Sequence, residues 1–210
     1  MIVSHSKRVL FVHVQKTGGL TVEGLLLERM DGAEKLQGLP GAKHARLGAA
    51  LRTHPELDDY WVFGFVRNPW ARMWSWYSMI ERRRQVANSG NDVMARRLRR
   101  NRFWKGVLRE MPDFEAFVMH GPERFPRTRV PQIAYLRTRS RTADFIGRTE
   151  TLTQDLIGIR ERLGIDGSIQ IPHRNAGPSM DYREHYTAAM RARVAELFRR
   201  DIQAFGYEFG

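Results

Sequence analysis

Val9-Leu10-Phe11-Val12-His13-Val14-Gln15-Lys16-Thr17-Gly18-Gly19-Leu20-Thr21 is the stretch on which the fold turns. Its first six residues form a nearly unbroken apolar run, which suits a strand buried on both faces. The run stops at Gln15-Lys16-Thr17-Gly18-Gly19. A helical pattern follows, with Val22, Leu25, Leu26 and Met30 on one face. The same order recurs twice. Trp61-Val62-Phe63-Gly64-Phe65-Val66 reads as a second buried strand, after which Asn68 caps a helix whose first position is Pro69. Ala143-Asp144-Phe145-Ile146-Gly147 reads as a shorter third strand. It precedes a helix marked by Leu152, Leu156, Ile159 and Leu163 and closed by Gly164. Strand then helix, three times over, predicts an α/β fold. Its sheet is expected to be mainly parallel and flanked by helices, with the active face at the strand carboxyl ends. Further helices are expected around 93–109, around 113–119 and from about 183 to 204.

Composition bounds the rest. A chain of 210 residues with 42% apolar and 10% aromatic content fits one domain over 1–210 with a full core. No stretch approaches 18 consecutive apolar residues, so no membrane span is expected. The polar lead, 1–8, does not read as a signal peptide. There is no cysteine, which removes disulfides, thiolate metal sites and a cysteine nucleophile; a cytoplasmic location is the simplest expectation, though the absence of cysteine also suits an exported protein. The charge is +12, carried by 30 Arg and 5 Lys against 23 acidic residues. It is concentrated. Residues 82–109 hold ten positive side chains and one negative, and 124–148 hold seven and one, whereas 181–210 are neutral. Such focusing favours an anionic ligand or partner.

Lys16 to Thr21 joins a buried strand to a helix. Paired glycines let backbone amides approach an anion, and a helix start adds unpaired N–H groups and the positive end of its dipole. Lys16 adds a point charge, and Thr17 and Thr21 add hydroxyls. The chemistry suits a phosphate. The order differs from the nucleotide-triphosphatase loop G-x-x-x-x-G-K-[ST], whose Lys follows the glycines. A second signal is Phe65-Val66-Arg67-Asn68-Pro69-Trp70-Ala71-Arg72-Met73-Trp74-Ser75. Arg67 falls at the carboxyl edge of a strand and Ser75 about two turns up the next helix, sharing a face with Arg72. Arg67 and Ser75 are suited to opposite sides of one phosphate; the alternative is an Arg paired with a neighbouring carboxylate and a solvated Ser.

Six stretches in order resemble the sulfotransferases that use 3′-phosphoadenosine 5′-phosphosulfate (PAPS), in the branch that contains carbohydrate O-sulfotransferases. They are 11–19 (FVHVQKTGG), 65–75 (FVRNPWARMWS), 131–136 (PQIAYL), 144–152 (DFIGRTETL), 173–175 (HRN) and 201–209 (DIQAFGYEF). The resemblance implies a three-layer, P-loop-like fold without ATP hydrolysis. It implies that Lys16, Thr17, Gly18, Gly19, Leu20 and Thr21 hold the donor's 5′-phosphosulfate, that Arg67 and Ser75 bind its 3′-phosphate, and that Arg148 also contacts the donor. The chain departs from the family at Gln15, where Pro is usual, and at Leu20, where Ser or Thr is preferred. The lost hydroxyl bears on donor affinity.

Sulfuryl transfer needs a base, positive charge at the leaving phosphate and an in-line geometry. Lys16 is expected at the bridging oxygen, assisted by the amides of Gly18 and Gly19, with no metal required. His44, in Ala42-Lys43-His44-Ala45-Arg46, is the expected base, since imidazole titrates near neutrality. His173 is the reserve, and His13 reads as structural. The expected acceptor is a hydroxyl of a glycan, glycolipid or small metabolite. Two other classes compete: a P-loop kinase or nucleotide hydrolase, and a basic nucleic-acid-binding protein. The first lacks G-K-[ST] and a strand-end Asp for magnesium. The second lacks any recognisable nucleic-acid motif.

Overall fold

The structure is a computed structural model that describes residues 1–165 and 181–210. In chain order its regular elements are β1 (Ile2–Ser4), β2 (Val9–Val12), α1 (Gly19–Arg29), β3 (Ala33–Lys35), α2 (Leu47–Thr53), β4 (Trp61–Val66), α3 (Pro69–Asn88), α4 (Asp92–Arg100), α5 (Arg102–Glu110), α6 (Phe114–Arg124), α7 (Ile133–Leu136), β5 (Phe145–Arg148), α8 (Leu152–Leu163), α9 (Ala188–Leu197) and α10 (Arg199–Phe205). Contacts group the described residues into two compact units, one of 1–67 with 132–165, the other of 68–131 with 181–210. Among the described residues no helix is long and apolar enough to cross a membrane.

The first unit is a five-stranded sheet of order β3-β1-β2-β4-β5, flanked by helices. The three strands read from the sequence are its β2-β4-β5 side, and both pairings there are parallel. β1 and β3 pair antiparallel, so the sheet as a whole is mixed. These two strands were not expected. Each has only three residues, and β3 lies half-buried to exposed, so neither shows a hydrophobic period. The core of this unit joins Phe11, Phe63 and Phe65 of the sheet to Val22 and Leu26 of α1 and to Leu156, Ile159 and Leu163 of α8. Gly164 ends α8 in the left-handed conformation, as its position predicted.

The second unit is helical. Asn68 caps α3 by accepting from the amides of Trp70 (3.0 Å) and Ala71 (3.4 Å), and Pro69 stands at the start. The helix expected over 93–109 is two helices, because Asn101 stops α4 and its side chain caps α5 through the Trp104 amide at 3.0 Å. The long final helix is likewise a short turn at Tyr182–His185 followed by α9 and α10. Trp70, Trp76, Phe103, Phe117 and Phe198 build the core of this unit. Trp70 and Trp76 are therefore packing residues, and Trp74 stacks on His185 at 3.8 Å.

Candidate active site

Three parallel strands deliver their carboxyl ends to one edge of the sheet. β2 ends at Val12, opposite Gly64, and feeds the 13–19 loop. β4 runs two residues further to Val66, opposite Arg148, the last residue of β5. The 13–19 loop, Arg67 and Arg148 thus share the edge at which open α/β sheets bind ligands.

The loop is bent by two left-handed residues, Lys16 (φ 70°) and Gly18 (φ 77°). Glycine adopts this freely, whereas for lysine it costs roughly 1–3 kcal/mol and marks a place where the backbone is held by its surroundings. Gly18 stands at the cap of α1, and its carbonyl takes the amides of Thr21 (2.9 Å) and Val22 (3.4 Å). Among the described residues, none accepts a hydrogen bond from the amides of Gly19 and Leu20. They form the anion-seeking start of an eleven-residue helix with no acidic residue in its first turn. Gly19 is required for space. A Cβ there would lie 2.2 Å from His13 Cδ2 and 2.3 Å from His13 Nε2.

Thr17 differs from expectation. Its hydroxyl donates to Val14 O at 3.0 Å and the residue is only 1% exposed, so its proton is committed inside the loop. Its side chain shapes the turn by tying the loop to Val14 O. Lys16 and Thr21 are half-buried, and Leu20 is 52% exposed. Arg67 is half-buried. Its amide donates to Gln132 Oε1 at 2.9 Å, and its carbonyl accepts from Gln132 Nε2 at 2.7 Å. Arg148 is exposed, with its amide held by Asp155 Oδ2 at 2.8 Å. Asp155 Oδ2 also accepts from Thr151 Oγ1 at 2.9 Å, and Thr149 Oγ1 donates to Val66 O at 3.0 Å.

His44 ends a short helical turn at Ala42–His44, and the structure brings it to the loop. Its Nδ1 lies 3.1 Å from His13 O, and the two rings meet edge to face with centroids 4.5 Å apart. A carbonyl only accepts, so Nδ1 carries the proton and Nε2 keeps the lone pair. Burial, reinforced by His13 and Lys43, pushes the His44 pKa down to about 4. The ring is neutral at physiological pH, with Nε2 able to take a proton. Beneath it, His13 Nδ1 lies 2.8 Å from Glu23 Oε1 of α1. Burial lowers the His13 pKa against the pull of Glu23. Burial would raise Glu23, but its hydrogen bond with His13 and the surrounding positive charge outweigh this and hold it low. His13 is buried, and its carbonyl sets the His44 tautomer.

Ser75 sits half-buried on α3 in the second unit. Arg72 does not share an open face with it. Arg72 is 1% exposed, donates from Nη1 to Val130 O at 3.2 Å and lies over the Phe198 ring. His173 lies outside the described residues. In the arginine-rich middle, Arg96, Arg97, Arg99 and Arg100 of α4 are exposed, and Arg83 stacks 3.9 Å over Trp104. Sequence reasoning missed Glu23, Gln132, Thr149 and Asp155. Gln132 lay within a quoted motif, yet nothing in its neighbours marked it as a partner of Arg67.

A comparison with curated proteins gives no match. A comparison with family models matches residues 1–208 to the sulfotransferase family, and the chain belongs to that family.

Proposed function

We propose that this chain moves a sulfuryl group from PAPS to a hydroxyl of an acceptor, with a carbohydrate or glycoconjugate as the favoured class. The observation that carries the reading is the meeting of an anion-seeking loop with a neutral, tautomer-fixed imidazole. His44 bonds to the loop's own first residue, His13. The reading takes residues 1–210 as one sulfotransferase domain of P-loop-like type, located in the cytoplasm.

The residues present fit such a donor. The Gly19 and Leu20 amides and the Lys16 ammonium are a donor set for a phosphate, and Arg67 and Arg148 supply guanidinium forks at neighbouring strand ends. PAPS supplies a sulfuryl group carried on an anionic phosphate leaving group. Lys16 and the helix-start amides offset the negative charge there. The helix-start amides are held by α1 before reaction, so they need no reorganisation when charge develops. Arg67 holds the 3′-phosphate, a role that the family resemblance extends to Ser75. His44 Nε2 accepts the acceptor hydroxyl's proton as its oxygen bonds to sulfur. A base with a pKa near 4 is weak, but it is unprotonated in every molecule at neutral pH.

Thermal-shift titration with 3′-phosphoadenosine 5′-phosphate (PAP), the product nucleotide, against ATP tests the donor. A ligand that binds only the folded chain raises the midpoint by mass action. PAP should raise it more than ATP at equal concentration, and an equal or larger ATP shift overturns the reading.

A further inference from the structure

We propose that Gln132 is a positioning residue for donor recognition, whose side-chain amide sets the 3′-phosphate specificity of Arg67. This rests on the role given to Arg67 above. The ladder between β4 and β5 ends at the Val66–Arg148 pair, so Arg67 lies one residue past the last strand pairing. Backbone one residue past a ladder is not held by that ladder's pairing. Gln132 takes the neighbour's place, with Oε1 accepting from the Arg67 amide at 2.9 Å and Nε2 donating to the Arg67 carbonyl at 2.7 Å. Two bonds to one residue reproduce the exchange that a paired strand residue makes. Only one orientation of the amide satisfies both, and Gln132 is 0% exposed.

The amide arrives at a fixed height because its own segment is anchored to the same strand. Leu136, one turn on at the end of α7, is fully buried, and it fills the space over Gly64, where a Cβ would meet Leu136 Cδ2 at 2.5 Å. The Leu136 carbonyl accepts the Ala143 amide at 2.8 Å. Thr149 holds the Val66 carbonyl, one peptide before Arg67. The 131–136 motif, which no step of the reaction uses, therefore serves to stiffen the residue that reads the 3′-phosphate. Bidentate recognition of a phosphate by a guanidinium depends on angle as well as distance, so a loosened backbone lowers selectivity before it lowers overall binding.

The test is calorimetric titration of the full chain and its Gln132→Met and Gln132→Glu variants with PAP and with adenosine 5′-phosphate, which lacks the 3′-phosphate. Methionine keeps length and loses both bonds, and glutamate keeps only the acceptor. The wild type should prefer PAP by about tenfold or more, as expected for a charge-assisted contact. Both variants should lose about tenfold of that preference, with adenosine 5′-phosphate affinity nearly unchanged. Partial unfolding scales both constants alike and cancels in their ratio. A wild-type ratio in either variant overturns the inference. If the wild type itself shows no preference, the donor role of Arg67 has failed and the inference falls with it. Hydrogen exchange gives an arm that needs no nucleotide. The Arg67 amide should exchange faster in Gln132→Met while Phe65 stays protected, and unchanged protection of Arg67 also overturns the inference.

Discussion

Gly19→Ala should destabilise this protein even though Gly19 opens a helix, where alanine is the better helix former. The added Cβ would lie 2.2 Å from His13 Cδ2, 2.3 Å from Nε2 and 2.9 Å from Cγ. All three atoms belong to one stiff ring that has little room to move. His13 is 3% exposed, its Nδ1 is 2.8 Å from Glu23, and its ring packs against Phe11 at 5.9 Å and His44 at 4.5 Å between centroids. Overpacking costs about 1–3 kcal/mol, and a contact this deep against a ring belongs at the upper end. Alanine's advantage over glycine returns about 0.5–1 kcal/mol. The net loss is about 2 kcal/mol, or a fall in midpoint of about 4–8 °C at this chain length. Gly158→Ala is the control. It lies exposed within α8, and a Cβ there meets nothing within 4 Å, so alanine should stabilise by about 0.5–1 kcal/mol. Urea unfolding followed by circular dichroism measures both variants. A Gly19→Ala midpoint at or above wild type, with Gly158→Ala behaving as stated, would refute the claim that the His13 ring is fixed against the loop.

Four further outcomes follow from the same geometry. His44→Ala should lower turnover by about two to four powers of ten, read as PAP formed from PAPS with any acceptor the wild type uses; near-normal turnover removes it as the base. The His44 pKa is depressed to about 4, so below its unfolded value of 6.5 the unfolded chain binds the proton and the folded chain does not. Its contribution to stability is therefore complete above pH 6.5 and is lost progressively as pH falls from 6.5 toward 4. Urea midpoints across that range should fall less steeply in His44→Ala than in wild type, and equal slopes would contradict the burial argument. Thr17→Val leaves Val14 O without its donor in a buried turn and should cost about 1–3 kcal/mol by thermal or urea unfolding; an unchanged midpoint would show that the hydroxyl is not committed there. Arg67→Ala should erase the preference for PAP over adenosine 5′-phosphate in calorimetry, and a retained preference would move the 3′-phosphate elsewhere.

The parallel side of the sheet was legible because burial on both faces leaves a signature in composition. Phe63 and Phe65 in β4 and Leu10 and Phe11 in β2 are all 0–1% exposed, and continuous apolar runs encode that. The antiparallel side was not legible. β1 hides Ile2, Val3 and Ser4 in three residues, too few for a period, and β3 is Ala33-Glu34-Lys35, whose charged side chains suit a sheet edge and read as loop. Helix ends failed for a different reason. Asn101 sits inside a continuous helical pattern, but its side chain competes for the Trp104 amide and restarts the chain as a new helix. Periodicity alone does not register a cap that interrupts without a change in hydrophobic spacing.

At the candidate site the split runs between residues that would touch a ligand and residues that hold those in place. Lys16, Gly18, Gly19 and Arg67 are local features: a loop after a strand, a charge at a strand end. Their supports are distant in sequence. His44 meets His13 across 31 residues, Gln132 meets Arg67 across 65, and Thr149 meets Val66 across 83. No window of sequence contains both partners, so spacing rules are silent on them. Thr17 shows the reverse situation. Its hydroxyl beside two glycines looked like a phosphate donor, yet a carbonyl three residues back claims it first, because a buried loop must satisfy its own acceptors before it can serve a ligand. The same rule explains why the anion-seeking groups that remain are backbone amides at a helix start. There a helix lacks its own acceptors for its first amides, and among the described residues none accepts from Gly19 or Leu20, the donors nearest the strand ends.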